Sequence, residues 1–307
     1  MIDDTVVRKT GNKMAGLGWH YSHADQQQVW GHSLVTALYV IAGYAYPVGA
    51  LLYQSQRACS QSGSKFRFKL ALAAQLIAEF TPVPGTRTVV LLDSWYASST
   101  LIQVALDRRC EVVCAVKSNR VLRECAHAPY AQGISLAELA TRTGMPDHLV
   151  TVNHRTYRVR QVDGNLRARV VISAAPPHGT SFYAHFHPEQ EAVSTLLDAQ
   201  GRLNHYSHGW PVETFHRNAK QLLGFDDYQL RSTSGVERYL ELVLIAYTLA
   251  ETQRGLLASR DTDQPPPTLG DVCRQSQHHA QLLFARWLYA QFERGVTVEA
   301  VCHRLTG

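Results

Sequence analysis

The order of apolar and polar positions predicts a mixed α/β fold. Period-two alternation and short apolar runs indicate strands, whereas apolar residues three and four apart indicate helices. In chain order, the predicted elements are strands in MIDDTVVRK, HSLVTALYVIAG and AYPVGALLYQ, a helix in KFRFKLALAAQLIAEF, a strand in TRTVVLLD, a helix in SSTLIQVALDRRC and a strand in EVVCAVKS. This order predicts a sheet with an antiparallel opening and a parallel continuation. The glycine-rich GNKMAGLGWHYSHADQQQ is interpreted as a connection.

The pattern changes in the second half of the chain. Alternating runs such as VTVNHRTYRVRQV and ARVVISA predict a β-rich insertion. A helix starting at Pro211 and ending at Gly224 is expected to bury Val212, Phe215, Leu222 and Leu223. GVERYLELVLIAYTLAETQRGLL predicts a long helix, and DTDQPPPT a linker before a helical tail. The predicted divisions are a catalytic core in two parts, 1–125 and 201–258, an insertion at 126–200 and a tail at 259–307.

Composition narrows the class of protein. The chain has 307 residues, of which 45% are hydrophobic and 18% charged, as in globular domains. HSLVTALYVIAGYAYPVGALLYQ comes closest to a membrane span, but its histidine and its Gly-Tyr-Ala-Tyr-Pro break favour two strands and a turn. Six cysteines without a C-x-x-C pair predict free thiols and a cytoplasmic location. A net charge of +5 permits nucleic-acid binding without requiring it.

Carboxylates at the ends of predicted strands are the first candidates for chemistry. Asp93 closes the apolar strand in TRTVVLLD, at the edge where α/β sheets usually hold ligands. An aspartate at this position is also a common cap of the following helix, for which Ser98 and Ser99 are further candidates. Asp3 and Asp4 lie in the first predicted strand, where neighbouring side chains point to opposite faces. Only one of them can therefore share a site with Asp93.

The helix at Pro211 contributes a third carboxylate. Glu213 lies in its first turn and Lys220 seven residues later, at about 700°, so both point to the same side. A solvated helix face is the alternative interpretation. If two strands and this helix bring three carboxylates together, their mutual repulsion requires divalent cations.

Four segments resemble one family. IDDT, LLDSWY, AVKSNR and YSHGWPVETFHRNAKQLLGFDDYQLRS are similar to the Asp-Asp-Glu transposases of bacterial insertion sequences, in the cut-and-paste subgroup with a Tyr-Arg-Glu-Lys signature. The signature spacing is Y-x2-R-x3-E-x6-K. Tyr206, Glu213 and Lys220 match it, whereas Gly209 stands at the arginine position. The resemblance extends from Ile2 to about Glu251.

The resemblance implies a ribonuclease H-like fold and metal-dependent cleavage and strand transfer at insertion-sequence ends. It implies that Asp4, which precedes the threonine, Asp93 and Glu213 are the catalytic residues and hold two Mg²⁺ or Mn²⁺ ions. Asp4 is expected in the first strand of the sheet, Asp93 at the end of the fourth, and Glu213 on a helix packed against the sheet. The expected contacts to double-stranded DNA are Tyr206, Lys220, Lys117, Arg120 and Arg217.

The resemblance also raises three further expectations. The chain begins at the first catalytic strand, so a preceding DNA-end-binding region is expected to be missing and the stability to be low. Gly209 is expected to weaken the grip on DNA, because a charge-assisted phosphate contact is lost. A homodimer, associated with the nucleoid, is expected because two DNA ends must be brought together.

Two other classes of protein remain open alternatives. One is a catalytically impaired remnant that only binds DNA, perhaps repressing the full-length enzyme. The other is an unrelated α/β enzyme in which Glu213 and Lys220 make surface contacts.

Overall fold

The structure is a computed structural model of the chain. It describes residues 1–22, 25–122, 133–142, 148–152, 154–163, 168–174, 180–188, 199–207, 210–260 and 265–306.

Strands and helices alternate along the described residues. The strands are β1 (Ile2–Arg8), β2 (Gly18–Ser22), β3 (Gln27–Ile41), β4 (Tyr44–Tyr53), β5 (Val89–Leu92), β6 (Glu111–Val116), β7 (Val121–Leu122), β8 (Ile134–Ser135), β9 (His148–Val152), β10 (Arg155–Asp163), β11 (Ala168–Ala174) and β12 (Thr180–Phe186). The helices are α1 (Gln56–Ser62), α2 (Lys69–Glu79), α3 (Ser99–Asp107), α4 (Leu136–Arg142), α5 (Ala199–Ser207), α6 (Trp210–Leu223), α7 (Thr233–Arg260), α8 (Leu269–Glu293) and α9 (Val298–Thr306).

The central part of the sheet has the strand order β4-β3-β1-β5-β6. β3 pairs antiparallel with β1 and with β4, whereas β1, β5 and β6 are parallel. The predicted antiparallel opening and parallel continuation are therefore confirmed. A mixed sheet of this order, flanked by helices, is consistent with a ribonuclease H-like fold.

Helices cover both faces of the sheet, and β1 contributes to both cores. Ile2 packs in a cluster with residues of α2 and α3, whereas Val7 packs in a second cluster with residues of α6 and α7. Because side chains alternate along a strand, the even-numbered residues of this part of β1 face α2 and the odd-numbered residues face α6. This alternation determines which aspartate faces which helix.

An ion pair centred on the buried Glu111 lies at the end of the β5–β6 pair remote from Asp93. Glu111, the first residue of β6, accepts hydrogen bonds from Arg87 Nε and, at 2.6 Å, Arg87 Nη2. His185 Nε2 of β12 lies 2.6 Å from Glu111 Oε2. Burial opposes ionisation of Glu111, but the hydrogen bonds from His185 and Arg87 outweigh it and lower its pKa to about 2. These three side chains, Arg87, Glu111 and His185, join β12 to the central strands.

Several sequence expectations are confirmed and others are wrong. Ser98 caps α3 by accepting a hydrogen bond from the Leu101 amide. The segment 18–22, expected in a connection, is strand β2 paired with β3, so Asp93 follows the fifth strand along the chain and not the fourth. Leu222 of α6 is 36% exposed rather than buried.

The alternating strands predicted before the helix at Pro211 are present as β9 to β12. They continue the central sheet from β6 in the order β12, β11, β10, β9. The most apolar segment of the chain forms β3 and β4, as the break in its sequence predicts. Within the described ranges, no helix is long and apolar enough to cross a membrane.

Candidate functional site

A cleft of about 1200 Å³ opens at the end of β5. β1 pairs with that end through Ile2 and runs on past it. Side chains from β1, β2, the turn after β5, the start of α2, and helices α5 and α6 line it. Among the residues that line it are Asp3, Asp4, Asp93, Lys69, Tyr206, Glu213, His216, Arg217 and Lys220. The cleft therefore collects residues from Met1 to Lys220, which are 219 positions apart along the chain.

Asp3 and Asp93 follow a pair of residues that are in register on neighbouring parallel strands. Ile2 of β1 pairs with Leu92 of β5, and each aspartate is the next residue. Asp3 lies on the face of β1 that carries α6. Burial, and the charges of Asp4, Asp93 and Glu213, raise the pKa of Asp3 to about 7, although the Asp4 amide donates to its Oδ1 at 2.8 Å. Asp3, which was not among the expected catalytic residues, thus interacts electrostatically with all three that were: Asp4, Asp93 and Glu213.

The Asp93 side chain stabilises the turn that follows β5. Its Oδ1 accepts hydrogen bonds from the Trp95 amide at 3.0 Å and the Tyr96 amide at 2.8 Å. These bonds hold the carboxylate at the floor of the cleft. The capping of α3 is carried out by Ser98, so Asp93 is not the helix cap.

Asp4 lies in the same cleft but is bound by other groups. Lys69 Nζ donates to Asp4 Oδ2 at 2.6 Å, and the Tyr96 hydroxyl donates to Asp4 Oδ1 at 3.0 Å. Lys69 is the first residue of α2, on the face of the sheet opposite α6. Both carboxylate oxygens of Asp4 therefore already have a donor from the α2 side.

Glu213 projects from the first turn of α6 and is exposed at the cleft. The helix buries Val212, Phe215 and Ala219 against the β1–β3 sheet and α7. Lys220 Nζ donates to Thr5 Oγ1 at 2.9 Å and to the Val6 carbonyl at 3.1 Å, so it attaches α6 to β1. Burial lowers the pKa of Lys220, while Asp226 and Asp25 oppose that shift.

The other expected DNA contacts lie in two places. Tyr206 and Arg217 line the cleft, and the Tyr206 ring lies 4.6 Å from that of Tyr183. Burial, with the nearby Tyr183 and Asp93, raises the pKa of Tyr206. Lys117 and Arg120 are exposed in the turn after β6, outside the cleft lining. Gly209, at the position of the signature arginine, lies outside the described residues.

Sequence reasoning missed two residues that line the cleft, Lys69 and His216, and the buried Tyr96 that binds Asp4. Lys69 and Tyr96 bind Asp4, and His216 of α6 is only 8% exposed. The sequence signal for His216 was its place one turn after Glu213 on a helix that must face the sheet. Lys69 and Tyr96 had no comparable local signal.

Whether Asp3, Asp93 and Glu213 suit a divalent cation is judged from their ligand atoms, which are carboxylate oxygens. In the part of the chain that the structure describes, no three His, Cys, Asp or Glu side chains are close enough together to hold a metal ion. Mg²⁺, however, is usually bound by one or two carboxylates, with water and substrate phosphate completing its shell. Burial, followed by the charges of Asp4, Asp93 and Glu213, raises the pKa of Asp3, and a cation would offset the part that comes from these charges. Asp3, Asp93 and Glu213 therefore suit such an ion by charge and ligand type.

Comparison with known families agrees with this site. The chain matches the family described as DDE superfamily endonuclease over residues 1–164, which include Asp3, Asp4 and Asp93. Glu213, Tyr206 and Lys220 lie beyond the matched residues. A comparison with curated proteins finds no match.

The family match, together with the mixed α/β sheet, indicates a nuclease-type enzyme. The chain belongs to the DDE superfamily endonuclease family.

Proposed function

We propose that this chain is the catalytic part of a DNA transposase that cleaves phosphodiester bonds and transfers strands at the ends of a bacterial insertion sequence. The observation that carries the proposal is a single cleft lined by Asp3, Asp93 and Glu213, which come from β1, the turn after β5 and the helix α6. The family match supports the nuclease chemistry. Transposition and the insertion-sequence end rest on the resemblance of the segment around Glu213.

We assign the first carboxylate to Asp3, and so revise the expectation that it is Asp4. Asp3 lies on the α6 face with Glu213, whereas Asp4 is held from the α2 side by Lys69 and Tyr96. Asp4 serves instead as the counter-ion that keeps the Lys69 ammonium at the cleft, where it can contact a phosphate.

The proposed metal ligands are Asp3, Asp93 and Glu213. Two Mg²⁺ or Mn²⁺ ions, when bound there, supply activation of the attacking oxygen and stabilisation of the leaving oxygen. Asp93 is oriented for this role by the Trp95 and Tyr96 amides. Glu213 is presented by a helix whose position is set by its contacts with β1 and β3.

The lining of the cleft suits double-stranded DNA. Arg217, Lys69 and Lys220 bring positive charge to a wall of the cleft, and phosphate contacts dominate DNA affinity. Trp19 and Tyr21 of β2 and Trp95 also line the cleft, with 67%, 47% and 48% of their surfaces exposed. Exposed aromatic rings beside a phosphate-binding groove can stack against bases or sugars. Tyr206, Lys117 and Arg120 are proposed as further contacts.

We also propose that the chain acts as a homodimer on DNA. Four apolar side chains on α7 recur at the spacing of a coiled-coil stripe and are more than half exposed: Leu242, Ile245, Leu249 and Leu256. Pairing of this stripe between two copies would bring two active sites, and two DNA ends, into one complex. The division into a split core at 1–125 and 201–258, an insertion at 126–200 and a tail at 259–307 is part of the same proposal.

The test is metal-dependent cleavage of labelled duplex DNA carrying the ends of the element. Wild-type chain should cut the duplex with Mg²⁺ or Mn²⁺, and Asp3→Asn, Asp93→Asn and Glu213→Gln should each abolish cutting while DNA binding persists. DNA binding by wild-type chain without any cleavage would instead support the DNA-binding remnant. Failure of both binding and cleavage would refute the assignment.

A further inference from the structure

His216 is a buried histidine of α6 that has no role in the cleavage chemistry proposed above. Its side chain is 8% exposed, and its Nε2 lies 2.9 Å from Thr36 Oγ1 in β3. Burial, with the nearby Lys220, lowers the pKa of His216 to about 3, whereas Asp4 opposes the shift. The ring is therefore neutral at physiological pH and does not provide a cation for DNA.

The direction of the hydrogen bonds follows from Thr36. Its hydroxyl donates to the Asp3 carbonyl oxygen at 3.2 Å, so its oxygen is left to accept from the His216 Nε2–H. Thr36 is also the residue paired directly with Asp3 in the β1–β3 ladder. A continuous series of hydrogen bonds thus runs from His216 through Thr36 to the backbone of Asp3.

Each end of this series of hydrogen bonds lies on an element that holds a proposed metal ligand. One end is Asp3 of β1, and the other is on α6, which also holds Glu213. His216 lies three residues after Glu213, on the same side of α6 and about one turn along. Lys220 makes a second attachment one turn further, to Thr5 and Val6 of β1. The contact through Thr36 is the one that ends at Asp3 itself, and both members are buried.

We propose that His216, acting through Thr36, is a positioning residue that sets the Asp3 carboxylate relative to Glu213 for metal binding. The proposal rests on the function proposed above. His216 does not touch the reacting atoms. Its loss should therefore impair metal binding and leave DNA binding intact, since groups that orient metal ligands typically contribute about 10–100-fold in affinity.

The experiment measures Mn²⁺ binding by the full chain without DNA, through the electron paramagnetic resonance signal of free Mn²⁺. His216→Ala and Thr36→Val should each raise the Kd for Mn²⁺ by about 10-fold or more. His216→Gln, whose amide nitrogen can replace Nε2, and Thr36→Ser should stay within about threefold of wild type. The double variant His216→Ala/Thr36→Val should have a Kd for Mn²⁺ no higher than that of the more impaired single variant. The reason is that either substitution alone already breaks the same series of hydrogen bonds.

The matched control is His32, another buried histidine that bonds Tyr228 and the Ala15 carbonyl and has no link to Asp3. His32→Ala should lower the melting temperature but leave the Mn²⁺ Kd of the folded protein unchanged. KM for DNA should be unaffected in the His216 and Thr36 variants, whereas the Mg²⁺ concentration for half-maximal cleavage should rise.

Four results would overturn the proposal. An unchanged Kd in folded His216→Ala, or additive losses in the double variant, would show that the connection does not set the metal site. An equal loss in His32→Ala would show a general effect of destabilisation. Absence of Mn²⁺ binding by wild-type chain would refute the proposed function as well, so the two failures are distinguishable.

Discussion

Asp3 and Asp93 lie side by side across the β1–β5 pair, each one residue beyond the paired Ile2 and Leu92. β5 ends at Leu92, whereas β1 continues to Arg8, so the aspartates stand where the sheet opens into the cleft. Burial, together with the like charges of the neighbouring carboxylates, raises the pKa of Asp3, and these charges favour a cation. This relationship leads to the first two predictions.

Asp3→Asn should reduce the rate of DNA cleavage by at least about 1,000-fold, which corresponds to ~4 kcal/mol of transition-state stabilisation. The reason is that Asp3 is the carboxylate that interacts with Asp93 and Glu213. Asp4→Asn is the matched control on the neighbouring residue and should lose about tenfold or less. Single-turnover cleavage at saturating Mg²⁺ measures the rates of both variants. Equal losses in the two variants would return the first-ligand role to Asp4.

The stability of the metal-free chain should depend on pH through Asp3. Its pKa of about 7 lies above the ordinary aspartate value, so the folded chain keeps a proton that the unfolded chain releases. The resulting stabilisation is complete below about pH 4, declines as pH rises, and is lost above about pH 7.

Asp3→Asn, which is neutral at every pH, should therefore be more stable than wild type at pH 8. Its advantage should be at least about 1 kcal/mol greater at pH 8 than at pH 5. Urea unfolding with a chelator present measures this difference. An advantage that does not change with pH would mean that Asp3 ionises normally in the folded chain.

Glu111 should support stability without contributing to cleavage. Glu111→Ala leaves Arg87 and the buried His185 without their acceptor and should cost about 3–5 kcal/mol in the free energy of unfolding. The cleavage rate per folded molecule should stay within about twofold, because Glu111 lies at the other end of the β5–β6 pair from Asp93. Glu237→Ala, at an exposed position of α7, is the control for loss of a carboxylate.

The same ion pair predicts an acid-sensitive contribution to folding. The pKa of Glu111 is about 2, below its ordinary value near 4.5, so its stabilisation is present above about pH 4.5 and is lost as pH falls toward 2. The difference in unfolding free energy between wild type and Glu111→Ala should shrink over this interval. A constant difference would assign the loss to packing instead of charge.

Leu249→Asp should prevent dimer formation on DNA if the exposed stripe of α7 pairs two copies. Leu249 lies in the middle of that stripe and is 65% exposed. Burying an unpaired carboxylate in an apolar interface is unfavourable. Leu149→Asp, a similarly exposed leucine on β9, is the control. Sedimentation of the protein–DNA complex should show one copy for the first variant and two for the second; two copies in both would place the interface elsewhere.

Lys117 and Arg120 should contribute to DNA affinity without reading its sequence. Both are exposed in the turn after β6, at the edge of the sheet where Asp93 also lies. Each alanine variant should weaken binding to all duplexes alike and reduce the slope of log K against log salt concentration by about 1. Arg260→Ala, at the far end of α7, is the charge-matched control. An unchanged salt slope in both variants would remove the pair from the DNA interface.

The sequence by itself determined most of the local elements and supplied the candidate site residues. The apolar run before Asp93, the serine cap of α3 and the seven-residue spacing of Glu213 and Lys220 are properties of neighbouring residues, and the structure contains each of them. Helical and strand periodicity are encoded over a few positions, so such features can be read directly from the chain.

Only the tertiary structure decided which neighbouring aspartate faces Glu213. Strand alternation places Asp3 and Asp4 on opposite faces, but which face carries α6 depends on pairing between residues about 200 positions apart. The same reason applies to His216 and Lys69, whose partners come from distant strands. β2 was missed because its strand character comes from pairing with β3, while its own composition resembles a loop.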